Sequence, residues 1–135
     1  MDRRTIAAVW AGLALIALAP SAVQAEPQLL RGTRFLEVMQ NNTLSGTTEG
    51  GASFNLYFLP GGAVTYDDSS GARDRGRWSL DSQGDVCVRF DQADDGREHC
   101  YQVEIDGRSV TWRGKSGDGQ ATLRGGVVES FLKPQ

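Results

Sequence analysis

Short runs of apolar, β-branched and aromatic residues follow one another along most of the chain after residue 53. They are separated by turn signals, among which Asp95-Gly96 and Asp106-Gly107 are strong hairpin dipeptides. The pattern predicts seven strands, over residues 54–59, 63–66, 73–80, 85–91, 97–105, 108–114 and 120–124. We therefore expect a mainly β fold, an antiparallel meander of about seven short strands that forms a curved sheet or a small barrel.

A different spacing marks residues 29–40. Phe35, Leu36 and Met39 recur at helical intervals, and Thr33 is a candidate N-cap. Asn41-Asn42 follows and is expected to end the helix. The segment predicts a short helix that precedes the strands.

Strand register follows from two assumptions. If Asp106-Gly107 is a two-residue hairpin loop, Tyr101 faces Trp112, and if Cys87 faces Cys100, a second hairpin is fixed. Both assumptions select the same inner face, and a slip of one residue would turn that face towards water. Its members are Val86, Val88, Phe90, His99, Tyr101, Val103, Val110 and Trp112.

Residues 1–25 have the layout of a secretory signal peptide. Arg3 and Arg4 precede a charge-free apolar run over residues 6–19, and small residues up to Ala25 offer a cleavage site. The run is shorter than the roughly 20 residues that span a bilayer. We expect cleavage to leave a single domain, residues 26–135, in a bacterial periplasm or outside the cell, without a stable membrane anchor.

The net charge and the cysteine content bear on three features: a nucleic-acid partner, a disulfide and a metal site. The formal net charge is −3, and loss of residues 1–25 makes it more negative, so a nucleic-acid partner is not expected. Cys87 and Cys100 predict a disulfide that staples the domain on its outer face, because an isolated pair in an oxidising compartment is usually bonded. Two cysteines and one histidine are too few for a structural zinc site, and no metal is expected.

No residue pattern indicates catalysis. His99 is the single histidine, its place on the apolar face is that of a core or rim residue, and no Gly-x-Ser-x-Gly elbow accompanies it. We expect neither catalytic residues nor a cofactor, and no enzymatic activity. An enzyme that uses clustered carboxylates remains an alternative.

Two sets of residues are candidates for binding. Arg75, Arg77 and Arg89 point outwards and form either an anion site or a charged solvent face, with Arg89 opposite Glu98. Aromatic residues inside the fold either fill the core, which we favour, or line a ligand cavity. These aromatic residues are Phe54, Phe58, Tyr66, Trp78, Tyr101 and Trp112.

Two resemblances rest on short motifs. Asn42-Thr43-Leu44-Ser45-Gly46, Gly76-Arg77-Trp78 and the two cysteines flanking a hairpin resemble a group of small exported bacterial proteins of unknown function, over most of residues 26–135. Residues 76–80 followed by 84–90 are similar to a strand pair of periplasmic inhibitors of secreted metalloproteases. Those inhibitors are small β-barrels with one disulfide, whose N-terminal arm enters the protease cleft. In this chain the motif lies mid-chain, so no inhibitory residue is assigned.

Together these features predict an exported β domain that acts by binding a protein or an envelope component. The alternatives are a metalloprotease-inhibitor-like module and a small-ligand carrier. The oligomeric state is left open.

Overall fold

The computed structural model describes residues 26–132, so the predicted signal peptide, residues 1–25, lies outside the described residues. Within residues 26–132 the chain forms nine strands and one α-helix. They are β1 (Gln28–Leu29), α1 (Thr33–Met39), β2 (Asn42–Thr47), β3 (Ser53–Phe58), β4 (Ala63–Asp68), β5 (Arg73–Leu80), β6 (Val86–Phe90), β7 (Glu98–Asp106), β8 (Ser109–Gly114) and β9 (Gly117–Gly125). Short 3₁₀ helices span Ala93–Gly96 and Glu129–Leu132.

Strands β2 to β9 form a closed antiparallel barrel. Each strand pairs with the next along the chain, and β9 returns to pair with β2. The two-residue strand β1 adds to β7 beside the barrel wall. Closure pairs the edges that an open sheet would leave exposed. The expected mainly β small barrel with a short N-terminal helix is confirmed.

The sequence predicted neither the two-residue β1 nor β2, and with β2 the barrel has eight strands where about seven were expected. Asparagine, serine and glycine in β2 have low strand propensity, and tertiary contacts override it. The Asn42 side chain accepts a hydrogen bond from the Gly126 amide (3.0 Å), and the Thr43 hydroxyl donates to the Gly126 carbonyl (2.7 Å). These contacts fasten the first barrel strand to the end of the last.

The expected register of the disulfide hairpin is confirmed. Cys87 pairs with Cys100 and Val88 with His99, while Trp78 of β5 pairs with Val88. The disulfide joins the two cysteines on the outer face of the wall. Because such bonds persist in oxidising compartments, the disulfide favours a location outside the cytoplasm.

The predicted loop of the next hairpin was wrong by one residue. Asp106 pairs with Ser109, so Gly107 and Arg108 form the loop, and Trp112 faces Val103 rather than Tyr101. Gly107 has a φ of 63°, and a glycine at the first loop position is what a type II′ hairpin requires. The pairing shifts by two residues, an even number, so the inner face is unchanged.

The N-cap and the first residue of helix α1 each lie one residue earlier than expected. Gly32, and not Thr33, is the N-cap, and its carbonyl accepts hydrogen bonds from Phe35 and Leu36. Gly32 has a φ of 58°, a positive value that glycine adopts without steric cost. Asn41 ends the helix as expected, with a φ of 68° that asparagine tolerates better than most residues.

No helix within residues 26–132 is long and apolar enough to cross a membrane.

Candidate functional site

The barrel encloses a cavity of about 260 Å³ that is lined almost entirely by apolar and aromatic side chains. The sequence favoured a filled core, so this space is the main difference between the expected and the observed interior. Thr48 and His99 lie among the lining residues at the end where β2 joins β3 and β6 joins β7. We call this end the mouth. The loops at the mouth span residues 48–52, 69–72, 91–97 and 115–116.

Helix α1 closes the opposite end. Its buried residues Phe35 and Met39 point into the barrel, and both line the bottom of the cavity. The Phe35 ring packs against Phe58 and Trp78, with centroids 5.8 and 5.7 Å apart. The Trp78 indole N–H donates to the Leu59 carbonyl (3.1 Å), so its polar atom is satisfied although the ring is buried. The interior therefore opens at the mouth.

Aromatic rings line the half of the cavity nearest the mouth. Trp112 packs edge-on against Phe54 (6.4 Å between centroids), and Phe54 stacks on Tyr66 (6.1 Å). Tyr66 in turn packs edge-on against Phe90 (6.3 Å). These four side chains lie on β8, β3, β4 and β6, and each ring packs on the next to form a continuous band that we call the aromatic belt.

Three glycines make room for rings of this interior. A Cβ at Gly119 would fall on the Trp112 ring, and one at Gly46 would lie 2.9 Å from the Phe54 ring. A Cβ at Gly114 would lie 2.7 Å from the Tyr101 ring. Contacts this close force the ring to move, so these positions need glycine for space. Gly46 is the glycine of the Asn-Thr-Leu-Ser-Gly motif, which gives that motif a structural role at the cavity wall.

Polar groups of three side chains that line the cavity are paired with residues at the rim of the barrel. The Tyr66 hydroxyl donates to Asp68 (2.7 Å), and the Tyr101 hydroxyl lies 3.0 Å from that of Ser116. The imidazole of His99 contacts the carboxylate of Asp94. Each pair ties a side chain of the barrel interior to the rim.

In the pair of Tyr66 with Asp68, the pKa of each group is shifted. Burial and then the hydrogen bond to Asp68 raise the pKa of Tyr66 to about 12, because both disfavour the phenolate. Hydrogen bonds from Ser70 and Tyr66 to the Asp68 carboxylate lower the pKa of Asp68 to about 2. At neutral pH the pair is therefore a neutral phenol that donates to a carboxylate.

The low pKa of Asp68 predicts an acid-sensitive rim. Since this pKa falls from 3.8 to about 2 on folding, ionised Asp68 stabilises the fold fully above about pH 4, and this contribution is lost as the pH falls towards 2. The Asp68→Asn variant lacks this titration. We expect the melting temperature of the unmodified protein to fall more steeply than that of the variant between about pH 4 and pH 2. If the melting temperatures of the two proteins fell equally between pH 4 and pH 2, the low pKa of Asp68 would be contradicted.

The structure brings most of the candidate aromatic residues together. Phe54, Phe58, Tyr66, Tyr101 and Trp112 line the cavity, while Trp78 packs with the helix at the closed end. Further lining residues had been predicted as interior or helical positions without a binding role. These are Phe35, Met39, Val86, Val88, Phe90, His99 and Val103.

The candidate anion-binding arginines lie on the outer wall of the barrel. Arg77 and Arg89 are register neighbours on the outer wall, and the Arg77 guanidinium donates to the Gly61 carbonyl (3.3 Å). Arg75 lines an outer groove of about 410 Å³ that Phe131 also lines, whereas Arg77 and Arg89 do not line it. Arg89 pairs with Glu98 in register, but their side chains form no ion pair among those of the described residues.

One group of potential metal ligands lies on the outer wall, within the described part of the chain. It consists of Asp81, Cys87 and Cys100. Both sulfurs belong to the disulfide, so neither offers the thiolate that binds a metal.

Comparisons with known protein families, with curated proteins and with solved structures found no match to this chain.

Proposed function

We propose that this protein is an exported carrier that binds a small, largely apolar ligand inside its barrel. The cavity supports the proposal, because it is enclosed by a continuous wall, plugged at one end by α1 and accessible at the other. Ligand sites are typically concave and apolar, with a few polar groups at defined places, and the mouths of β-barrels are among their usual locations. The three glycines beside the rings are a further argument. Because they have no side chains, the rings of Phe54, Tyr101 and Trp112 can lie against the wall and line the cavity.

The volume sets the size of the ligand. A dry apolar cavity of about 150 Å³ accepts benzene. The space of about 260 Å³ in this barrel is correspondingly suited to a molecule of about ten non-hydrogen atoms. A bicyclic aromatic compound or a branched benzene derivative has this size, whereas a long-chain lipid does not fit within the barrel.

Neopentylbenzene, a neutral hydrocarbon of that size, tests the carrier function. We expect it to bind with a Kd of roughly 10–100 μM, as measured by calorimetry on protein expressed from the full chain. Replacement of Val88, which lines the cavity, with phenylalanine should weaken binding at least about ten-fold, because the added ring occupies the ligand's space.

The matched control is Thr122→Phe. Thr122 lies on β9 and is exposed, so the same ring is added to the outer wall and the affinity should not change. Undetectable binding to the unmodified protein, or equal affinities for Val88→Phe and the unmodified protein, would contradict the carrier function.

The location is part of the proposal. Residues 1–25 act as a cleaved signal peptide that directs the domain to the periplasm or out of the cell. N-terminal sequencing of the secreted product should begin at Glu26.

The other expected functions stay predictions. For binding of a protein or an envelope component, residues 26–132 show no defined surface to test, and the aromatic cavity favours the carrier function. Titration against secreted metalloproteases tests the inhibitor alternative, which requires inhibition at micromolar excess.

A further inference from the structure

The walls of the mouth are suited to positive charge. Trp112, Phe54, Tyr66 and Phe90 form the aromatic belt, with successive ring centroids 6.1 to 6.4 Å apart. Aromatic faces attract cations through their quadrupole, and several rings around one space form the cages that bind quaternary ammonium groups. A cation seated beside the belt can contact several rings at once.

Two carboxylates at the rim contact residues that line the cavity. Asp68 is one hydrogen bond from Tyr66, and Asp94 contacts His99, and both Tyr66 and His99 line the cavity. Asp68 is ionised at neutral pH because its pKa is about 2. A ligand that enters the cavity therefore passes negatively charged groups at the mouth.

Few basic side chains at the mouth could offset this negative charge. The cavity lining contains no lysine or arginine among the described residues, and its single histidine contacts Asp94. Arg97 is engaged by Asp95, with 3.7 Å between the charged atoms. The four mouth loops carry the acidic residues Glu49, Asp91, Asp94 and Asp95 and the basic residues Arg97 and Lys115.

From this arrangement we infer that the ligand is an organic cation: an amine or quaternary ammonium compound with an apolar body of about ten non-hydrogen atoms. The inference rests on the proposed carrier function. The apolar body fills the lower barrel above Phe35 and Met39, and the charged group lies at the aromatic belt near Asp68 and Asp94. Anionic ligands such as carboxylic acids are disfavoured, because the cavity lining offers them no lysine or arginine among the described residues and the carboxylates of the rim repel them.

Three probes of matched shape separate this inference from the carrier function. Benzyltrimethylammonium, neopentylbenzene and benzylsulfonate have the same number of non-hydrogen atoms and differ in the charge of a tetrahedral head group. We expect the ammonium probe to bind about ten-fold or more tightly than the sulfonate. The difference should shrink as salt is raised, because the rim carboxylates are partly exposed and are screened.

Charge-removing variants locate the effect. Asp68→Asn combined with Asp94→Asn should weaken binding of the ammonium probe several-fold and leave neopentylbenzene unaffected. Asp106→Asn is the matched control, because Asp106 is exposed at the opposite end of the barrel and its loss should change neither affinity.

The outcomes are distinct. Tighter binding of the ammonium probe that depends on Asp68 and Asp94 supports the inference. If the neutral probe binds while the two charged probes bind equally, or if the Asp variants leave ammonium binding unchanged, the inference is wrong and the carrier function stands. If none of the three binds, both are wrong. The probe series on the unmodified protein decides the question even if the double variant fails to fold.

Discussion

Replacement of Phe35 with alanine is expected to lower the free energy of unfolding by about 3–5 kcal/mol. Phe35 is 1% exposed and packs between Phe58 and Trp78, so truncation removes contacts with two rings and leaves a void at the closed end. The seven-residue α1 is too short to be stable alone, so its position depends on this anchoring. Chemical denaturation monitored by circular dichroism measures the loss.

Arg34→Ala is the matched control on the same helix. The Arg34 side chain is 53% exposed, and its guanidinium lies 3.6 Å from Glu37 across one turn. Exposed pairs of this kind contribute little, so the variant should remain within about 0.5 kcal/mol of the unmodified protein. A loss below about 1 kcal/mol for Phe35→Ala would mean that α1 does not plug the barrel.

Loss of the disulfide is expected to cost about 3 kcal/mol. Cys87 and Cys100 are 13 residues apart, and closing a loop of this length restricts the unfolded chain by about that amount in the chain-entropy account. The double variant Cys87→Ala and Cys100→Ala, or reduction of the unmodified protein, should show the same loss in denaturant titrations. This is a substantial part of the 5–15 kcal/mol typical of a domain.

Two controls accompany this prediction. The double variant should be insensitive to reductant, and its affinity for neopentylbenzene should match that of the unmodified protein, because the bond is on the outer wall and does not line the cavity. A stability loss below about 1 kcal/mol would show that the bond adds little to the pairing of β6 with β7.

Much of the fold was predictable because apolar residues mark one face of most strands. The pairing of Cys87 with Cys100 and the inner position of Trp112 follow from that alternation. Strand β2 was missed because its strand conformation depends on contacts with Gly126, more than 80 residues away in sequence. Local propensity carries no information about such partners.

The residues of the candidate site were predictable from the sequence, but the cavity between them was not. Periodicity places Tyr66, Tyr101 and Trp112 inside, but it does not show whether the rings meet or leave a space. That depends on barrel closure by β2 and on glycines such as Gly119, whose missing side chain fixes the position of a ring. The outward position of Arg77 and Arg89 was predictable for the same reason as the inner face, whereas their hydrogen-bond partners depend on loop geometry.

On the proposed function, the barrel holds a ligand between its aromatic belt and α1. The most direct measurement is a crystal structure of the protein soaked with neopentylbenzene. We expect electron density for the hydrocarbon beside Phe54 and Trp112, above Phe35, with the barrel wall unchanged. A barrel interior filled by its own side chains, with the hydrocarbon absent or bound only on the outer wall, would contradict the account.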